Sequence, residues 1–220
     1  MKHIVKGKEP QSLLEHRLQP YADYDNYREK DELRESLLTE QGHICCYCMG
    51  RIVKNKMKIE HWQPQSSYPN LQLAYPNLLG ACEGNQGGRK DLQHCDTKKG
   101  ESEITINPTD PIKKCDRLIK YSSNGRIYSD DVTIDEELNN VLNLNQETLI
   151  KNRKAVLDSL IRYLNKKYPD KSWTIEILTK EIAKLTQLNQ DSQYQPYCQV
   201  AISYLNKKLS SVKNQSEGKS

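Results

Sequence analysis

The sequence predicts an α+β fold: a mostly helical chain around a small, cysteine-rich core of short strands. Three observations lead there. Apolar residues recur at helical spacing in the flanks, most clearly Leu149, Val156, Leu157, Leu160, Ile161 and Leu164. The middle of the chain changes texture to Cys, His, Gly and Asn with short apolar runs, and six of the seven cysteines lie between Cys45 and Cys115. Further on, two short β-prone runs flank Asn124-Gly125, the strongest short-range hairpin signal.

The elements follow in order. Pro10, then Gln11-Ser12-Leu13-Leu14-Glu15, suits a helix start, because proline is tolerated at the first helical position. A second helix is expected over residues 25–41, with Leu33, Leu37 and Leu38 as its apolar stripe and Gly42 as its stop. Residues 51–53 and 57–61 read as two short strands joined through Lys54-Asn55-Lys56, and residues 77–82 as the start of a helix after Pro76. Gly84, Gly87 and Gly88 make residues 83–91 a flexible loop. A short helix is expected near Cys95-Asp96. Asn107-Pro108 and Asp110-Pro111 mark turns, and the hairpin joins residues 119–122 to 126–129. Helices are expected over residues 145–167, 174–188 and 197–209. This divides the chain into an N-terminal helical segment (1–41), a compact core (42–104), a C-terminal hairpin and helical region (105–210) and a disordered tail (211–220).

The 220 residues suit one ordinary domain or two small ones. Only 35% of them are hydrophobic, which predicts a thin interior and argues against one large globule. No run approaches the ~18 apolar residues of a membrane-spanning helix. The opening Met1-Lys2-His3-Ile4-Val5-Lys6-Gly7-Lys8-Glu9 lacks a signal-peptide core, so a cytoplasmic location and no membrane partner are expected. The net charge of +4 points only weakly to polyanions. Its placement says more: within residues 41–100, Arg51, Lys54, Lys56, Lys58, Arg89, Lys90, Lys98 and Lys99 outnumber Glu60, Glu83, Asp91 and Asp96.

Clustered cysteines in a chain without an export signal read as metal ligands or catalytic groups before disulfides. Cys45-Cys46-Tyr47-Cys48 contains a C-x-x-C pair, Cys45 and Cys48, whose spacing places two thiolates on one tetrahedral ion, usually zinc. Cys82 and Cys95 can supply the other two. Cys46 could replace Cys45, Cys115 could replace Cys82 or Cys95, and the bland reading is free buried cysteines. Between the pairs lies Lys58-Ile59-Glu60-His61-Trp62-Gln63-Pro64. Neighbouring strand side chains point to opposite faces, so Glu60 and His61 need a bend or backbone help to serve one substrate.

The order C-x-x-C, E-H-x-x-P, Y-x-N-L-L-x-x-C, H-C-D-x-x-K-G is specific. It is carried by Cys45/Cys48, Glu60-His61/Pro64, Tyr75/Asn77-Leu78-Leu79/Cys82 and His94-Cys95-Asp96/Lys99-Gly100. It resembles the HNH (ββα-metal) endonuclease family, and within it the PtuB-type nucleases of Septu and retron-associated anti-phage defence systems. The resemblance implies a zinc-stabilised ββα-metal core. It implies a metal-dependent endonuclease that hydrolyses phosphodiester bonds of nucleic acid, DNA before RNA, beside an SMC-like, ABC-type (PtuA-like) ATPase partner and in some systems retron RNA or DNA. His61 matches the general base and Glu60 the acidic residue that helps hold catalytic Mg²⁺ or Mn²⁺. Asn77 matches a residue that braces the loop carrying the base. Asp96, or His94 two residues before it, matches the final ligand of that ion. Zinc is implied on Cys45, Cys48, Cys82 and Cys95. Lys58, Lys98 and Lys99 are candidates for phosphate contact, Lys99 foremost because it lies within the motif. One departure is that 12 residues separate Cys82 from Cys95, where compact members are much tighter.

The chemistry is coherent. A phosphodiester is anionic and resists an anionic nucleophile, so a hard cation at the phosphate and a neutral imidazole acting on water suit it. An ordinary histidine pKa of about 6.5 leaves the ring mostly neutral in the cell. A few short elements gain rigidity from a zinc knuckle, because metal-binding free energy becomes folding free energy. Trp62 reads as a packed residue before a base-stacking one. The rival readings are a solitary HNH restriction or toxin nuclease, a non-catalytic zinc-stabilised nucleic-acid-binding module, and an adaptor acting through residues 145–209.

Overall fold

The computed structural model describes residues 1–169 and 173–217. It opens with helices α1 (Gln11–Arg17) and α2 (Lys30–Glu40), then strands β1 (Lys58–His61) and β2 (Leu78–Ala81). Short helices α3 (Cys95–Lys99) and α4 (Cys115–Leu118) lead to strands β3 (Ile119–Tyr121) and β4 (Ile127–Ser129). Helix α5 (Val132–Glu136) continues into a π-helical turn, Glu137–Val141. Three longer helices close the chain: α6 (Glu147–Lys167), α7 (Ile175–Thr186) and α8 (Cys198–Glu217). The mixture of helices with two small antiparallel sheets is the α+β class expected.

The strand that pairs with β1 differs from the one expected. Residues 77–82 are not a helix start. Tyr75–Asn77 makes a single 3-10 turn around Pro76, and Leu78–Ala81 then runs as β2, antiparallel to β1, with Glu60 opposite Leu79 and His61 opposite Leu78. All four residues of β2 are buried, and a short apolar run buried on both faces carries no period that separates strand from helix. Gly80 fits there because a Cβ would come within 2.9 Å of Met57 Cε. The run at 51–53 contributes only isolated bridges, Ile44 with Arg51 and Val53 with Lys56. Helix α2 begins at Lys30, five residues later than expected, after a stretch of turns.

The second sheet is the hairpin read from Asn124-Gly125. Ile119 pairs with Ser129 and Tyr121 with Ile127. Gly125 has φ +90, and a Cβ there would lie 2.4 Å from the Ile150 carbonyl oxygen, so the turn packs directly on α6. Arg153 of α6 is fully buried and satisfied by carbonyls: its Nε donates to Gly125 O at 2.6 Å and its Nη2 to Leu144 O at 2.7 Å.

The three closing helices fall close to their expected places. Thr174 caps α7, its hydroxyl accepting from Ile177 N. Helix α8 runs through Glu217, so residues 211–217, expected as disordered tail, are helical, and residues 218–220 lie outside the described residues. The extension has packing behind it, because Leu209 and Val212 join the cluster formed by Leu164, Leu178 and Leu205.

The interior is larger than the composition suggests. One apolar cluster runs from Met1, Ile4 and Leu13 through Leu37, Cys48 and Leu79 to Leu138, Leu157 and Val200. Residues 1–41, the cysteine-rich stretch and the hairpin region therefore share it. Buried tyrosines (Tyr27, Tyr47, Tyr75, Tyr121) and cysteines supply the volume that a low aliphatic content lacks. Among the described residues, no helix is long and apolar enough to cross a membrane.

Candidate active site and metal centre

Four sulfurs converge beneath the small sheet. The chain turns sharply after Ile44, with Cys45 N donating to Gly50 O and Met49 N to Cys45 O, so that Cys45 and Cys48 face one point. Cys82 follows β2 and Cys95 opens α3. Their ligand atoms all lie within 4.8 Å of one another, with Cys45 Sγ 3.9 Å from Cys95 Sγ and Cys48 Sγ 3.8 Å from Cys82 Sγ. A tetrahedral ion with metal–sulfur bonds of about 2.3 Å requires sulfurs roughly 3.8 Å apart, so the set fits one metal ion. Among the described residues this is the cluster of that kind. Cys46 is outside it: buried, its N–H donating to Gly80 O, it fastens the turn to β2. Cys115 is buried elsewhere and is no substitute. Burial opposes ionisation of Cys45, but hydrogen bonds from Cys46, Cys48, Cys82 and Cys95 outweigh it and hold this thiol well below its ordinary pKa. The long connection from Cys82 to Cys95 is drawn together at its base. Gly84 has φ +55, its carbonyl accepts from His94 N at 3.0 Å, and a Cβ on it would sit 2.1 Å from the His94 oxygen.

On the other side of the same elements lies a carboxylate pair. Glu60 comes from β1 and Asp96 from α3. Glu60 is 2% exposed, and one oxygen, Oε1, accepts from the Tyr47 hydroxyl at 2.7 Å and from Lys99 Nζ at 3.0 Å. Burial, then a hydrogen bond and the charge of Asp96, push Glu60 well above the ordinary carboxyl range. Burial works the same way on Asp96, but the Glu60 hydrogen bond and the Lys58 and Lys99 ammoniums outweigh it and leave Asp96 below its ordinary value. Lys58 Nζ pairs with Asp96 Oδ2, yet that buried oxygen has no well-angled hydrogen bond. Two neighbouring carboxyls, one with a buried oxygen that lacks a hydrogen bond, fit a hard divalent cation.

His61 ends β1 directly after Glu60, and its ring lies within electrostatic reach of Lys99 and Asp96 of α3. Its Nε2 lies 3.0 Å from Gln72 O; a carbonyl only accepts, so Nε2 carries the hydrogen and Nδ1 keeps its lone pair. Burial lowers its pKa, partly offset by that hydrogen bond. Tyr24 stands edge-on to the ring, centroids 4.5 Å apart. Asn77 ties down the loop that follows His61. Its Oδ1 accepts from Gln63 N at 2.7 Å, and its Nδ2 donates to Gln63 O at 3.0 Å and Leu71 O at 3.2 Å.

His94 does not stand beside the carboxylates; its Nδ1 lies 3.2 Å from Cys95 Sγ and 3.9 Å from Cys82 Sγ, against the sulfur cluster. Lys99, foremost of the lysines expected at a phosphate, is 2% exposed and sealed against Glu60, with a second hydrogen bond to His61 O. Lys58 is half-buried on Asp96, and Lys98 is exposed. Trp62 packs against the main cluster and donates to Ile106 O. Tyr47, Gln72 and Tyr24 were missed. The sequence signal for Tyr47 is its place inside the C-x-x-C turn.

No family model matches the chain. Over 161 residues, 67% of its length, it is 30% identical to a protein of Vibrio cholerae serotype O1 biovar El Tor named as a candidate HNH endonuclease of retron Vc95, and it covers 74% of that protein. The chain belongs to the HNH endonuclease family. Over 157 residues it is also 27% identical to the Septu protein PtuB of Bacillus thuringiensis, of whose length it spans 55%. One relative is named for a retron and the other for Septu, in keeping with the resemblance of the cysteine and Glu-His motifs.

Proposed function

We propose that the chain is a metal-dependent HNH endonuclease that hydrolyses phosphodiester bonds of nucleic acid, DNA before RNA, in bacterial anti-phage defence. The reading includes a cytoplasmic location and an SMC-like, PtuA-like ABC-type ATPase partner, as the likeness to PtuB suggests. Retron RNA or DNA is a further candidate partner, as the likeness to the retron protein suggests. The observation that carries the reading is the convergence of β1, β2 and α3. It sets Glu60 beside Asp96 and presents His61 from the same strand, while four cysteines join the Cys45–Cys48 turn, the end of β2 and α3. This is a ββα order with a carboxylate from the strand and another from the helix.

Zinc is the ion for Cys45, Cys48, Cys82 and Cys95, with a structural role. Mg²⁺ or Mn²⁺ belongs with Glu60 and Asp96, where it would neutralise the scissile phosphate and stabilise the departing oxygen. The chain's own groups do the rest. His61, kept neutral by burial and oriented through Nε2 to Gln72 O, takes a proton from water at Nδ1. Asn77 holds the loop that positions the ring. Lys99 balances Glu60 in the interior and grips the His61 carbonyl. Lys98 remains the exposed lysine of the motif for a backbone phosphate.

The test is cleavage of plasmid and of total RNA by the wild-type chain and by His61→Ala. Each is assayed with Mg²⁺ or Mn²⁺, with and without the product of an adjacent ATPase gene. Cleavage that disappears in His61→Ala supports the reading and names the polymer. Activity that needs the ATPase supports the partnership. Equal cleavage by both chains would remove His61 from the reaction. Silence throughout, with metal and nucleic acid still bound, would favour the non-catalytic module.

A further inference from the structure

We propose that Tyr47 is a positioning residue that aims the Glu60 carboxylate toward the divalent ion, making the cysteine knuckle the ruler for the carboxylate pair. The inference rests on the nuclease reading and deepens it. Tyr47 lies inside the metal turn, between Cys46 and Cys48, and is fully buried. Its backbone is held on both sides: Cys45 and Cys48 belong to the sulfur cluster, and Cys46 N is fixed to Gly80 O on β2. The phenol therefore has little freedom, and it donates to Glu60 Oε1 at 2.7 Å. Lys99 Nζ reaches the same oxygen at 3.0 Å from α3, the helix that Cys95 opens. Both donors thus come from segments that the cysteines anchor, and both converge on one oxygen. Neither donor is directed at Oε2, which leaves that oxygen of the carboxyl for a cation. Groups that orient a metal ligand without touching the metal commonly change its affinity about 10-fold or more when removed.

The experiment measures Mn²⁺ binding directly, by calorimetry or electron paramagnetic resonance, on the catalytically silent His61→Ala chain with zinc in place. Adding Tyr47→Phe should leave one zinc per chain and weaken Mn²⁺ binding about 10-fold. In the active chain, the same substitution should raise the Mn²⁺ concentration for half-maximal cleavage by the same factor, with KM for nucleic acid unchanged. Placed on a Glu60→Ala background, Tyr47→Phe should have no further effect on Mn²⁺ binding. Unchanged Mn²⁺ affinity, or an equal loss with and without Glu60, would overturn the positioning role while leaving a cleaving, Mn²⁺-binding enzyme. A Tyr47→Phe chain that has lost its zinc would overturn it too, because the phenol would then be building the turn. If Asp96→Ala leaves Mn²⁺ binding untouched, the carboxylate pair is no cation site, and the nuclease reading falls together with the inference.

Discussion

Asn77 contributes three hydrogen bonds to one loop, and no neighbour can replace them. Asn77→Ala should cost about 2 kcal/mol, since it strands a half-buried Gln63 N–H as well as losing its own contacts; urea unfolding measures it. The metal content of the cysteines should be unchanged. Cleavage should fall about 100-fold, the scale expected when a reacting group is displaced by an ångström. Lys99 is a different case. Lys99→Met leaves Glu60 buried without its cation, and the same unfolding measurement should show a loss of about 3 kcal/mol. The bracing position of Asn77 was legible through its place in the motif, and the structure puts its side chain on that loop. The burial of Lys99 was not legible. In a helix of five residues, one step of rotation decides whether a lysine meets solvent or interior, and the sequence around it is polar on every side.

Helices α6, α7 and α8 meet at Leu164, Leu178 and Leu205, and Glu181 of α7 sits at their edge. Its oxygen Oε1 gathers Lys167 Nζ at 2.9 Å, Lys184 Nζ at 3.0 Å and the Tyr168 hydroxyl at 3.1 Å. Burial would raise its pKa, but these donors outweigh it and hold Glu181 below the ordinary value of 4.5. A carboxyl lowered in the folded state adds stability that is complete above its unfolded pKa and fades as pH falls through the folded one. The urea midpoint should therefore drop on acidification below about pH 4.5, and Glu181→Gln should flatten that part of the profile. If the two profiles coincide, the charge is not coupled to folding. These helices were legible because apolar spacing persists over several turns. Strand β2 was not, because four consecutive buried residues carry no period, and only its pairing with β1 settles their state.

At the scale of the molecule, the sulfur cluster and the leucine cluster of the closing helices have no residue in common. Stripping the metal with a chelator under reducing conditions should release the Cys45–Cys48 turn, the end of β2 and α3. Amide exchange should show protection lost there first and retained in α6 to α8. Uniform loss would mean one cooperative unit; no loss would mean that the cysteines hold no structural ion. The cysteine-rich stretch was legible in the change of texture along the chain. The shared interior was not, because tyrosine and cysteine fill it where aliphatic residues were sought. The neck at Gly84 and His94 accounts for the long Cys82-to-Cys95 connection, which departs from the tight spacing of compact members. Chain length beyond that neck never reaches the sulfurs: the residues between form an eyelet, threaded shut by one backbone hydrogen bond and a glycine. Its far side is pinned where Asn143 Nδ2 donates to Asp91 O and Gln93 O, but residues 85–90 can be lengthened or exchanged for a foreign peptide while the four sulfurs keep their places, which makes them the natural point for grafting a tag or probe into the chain.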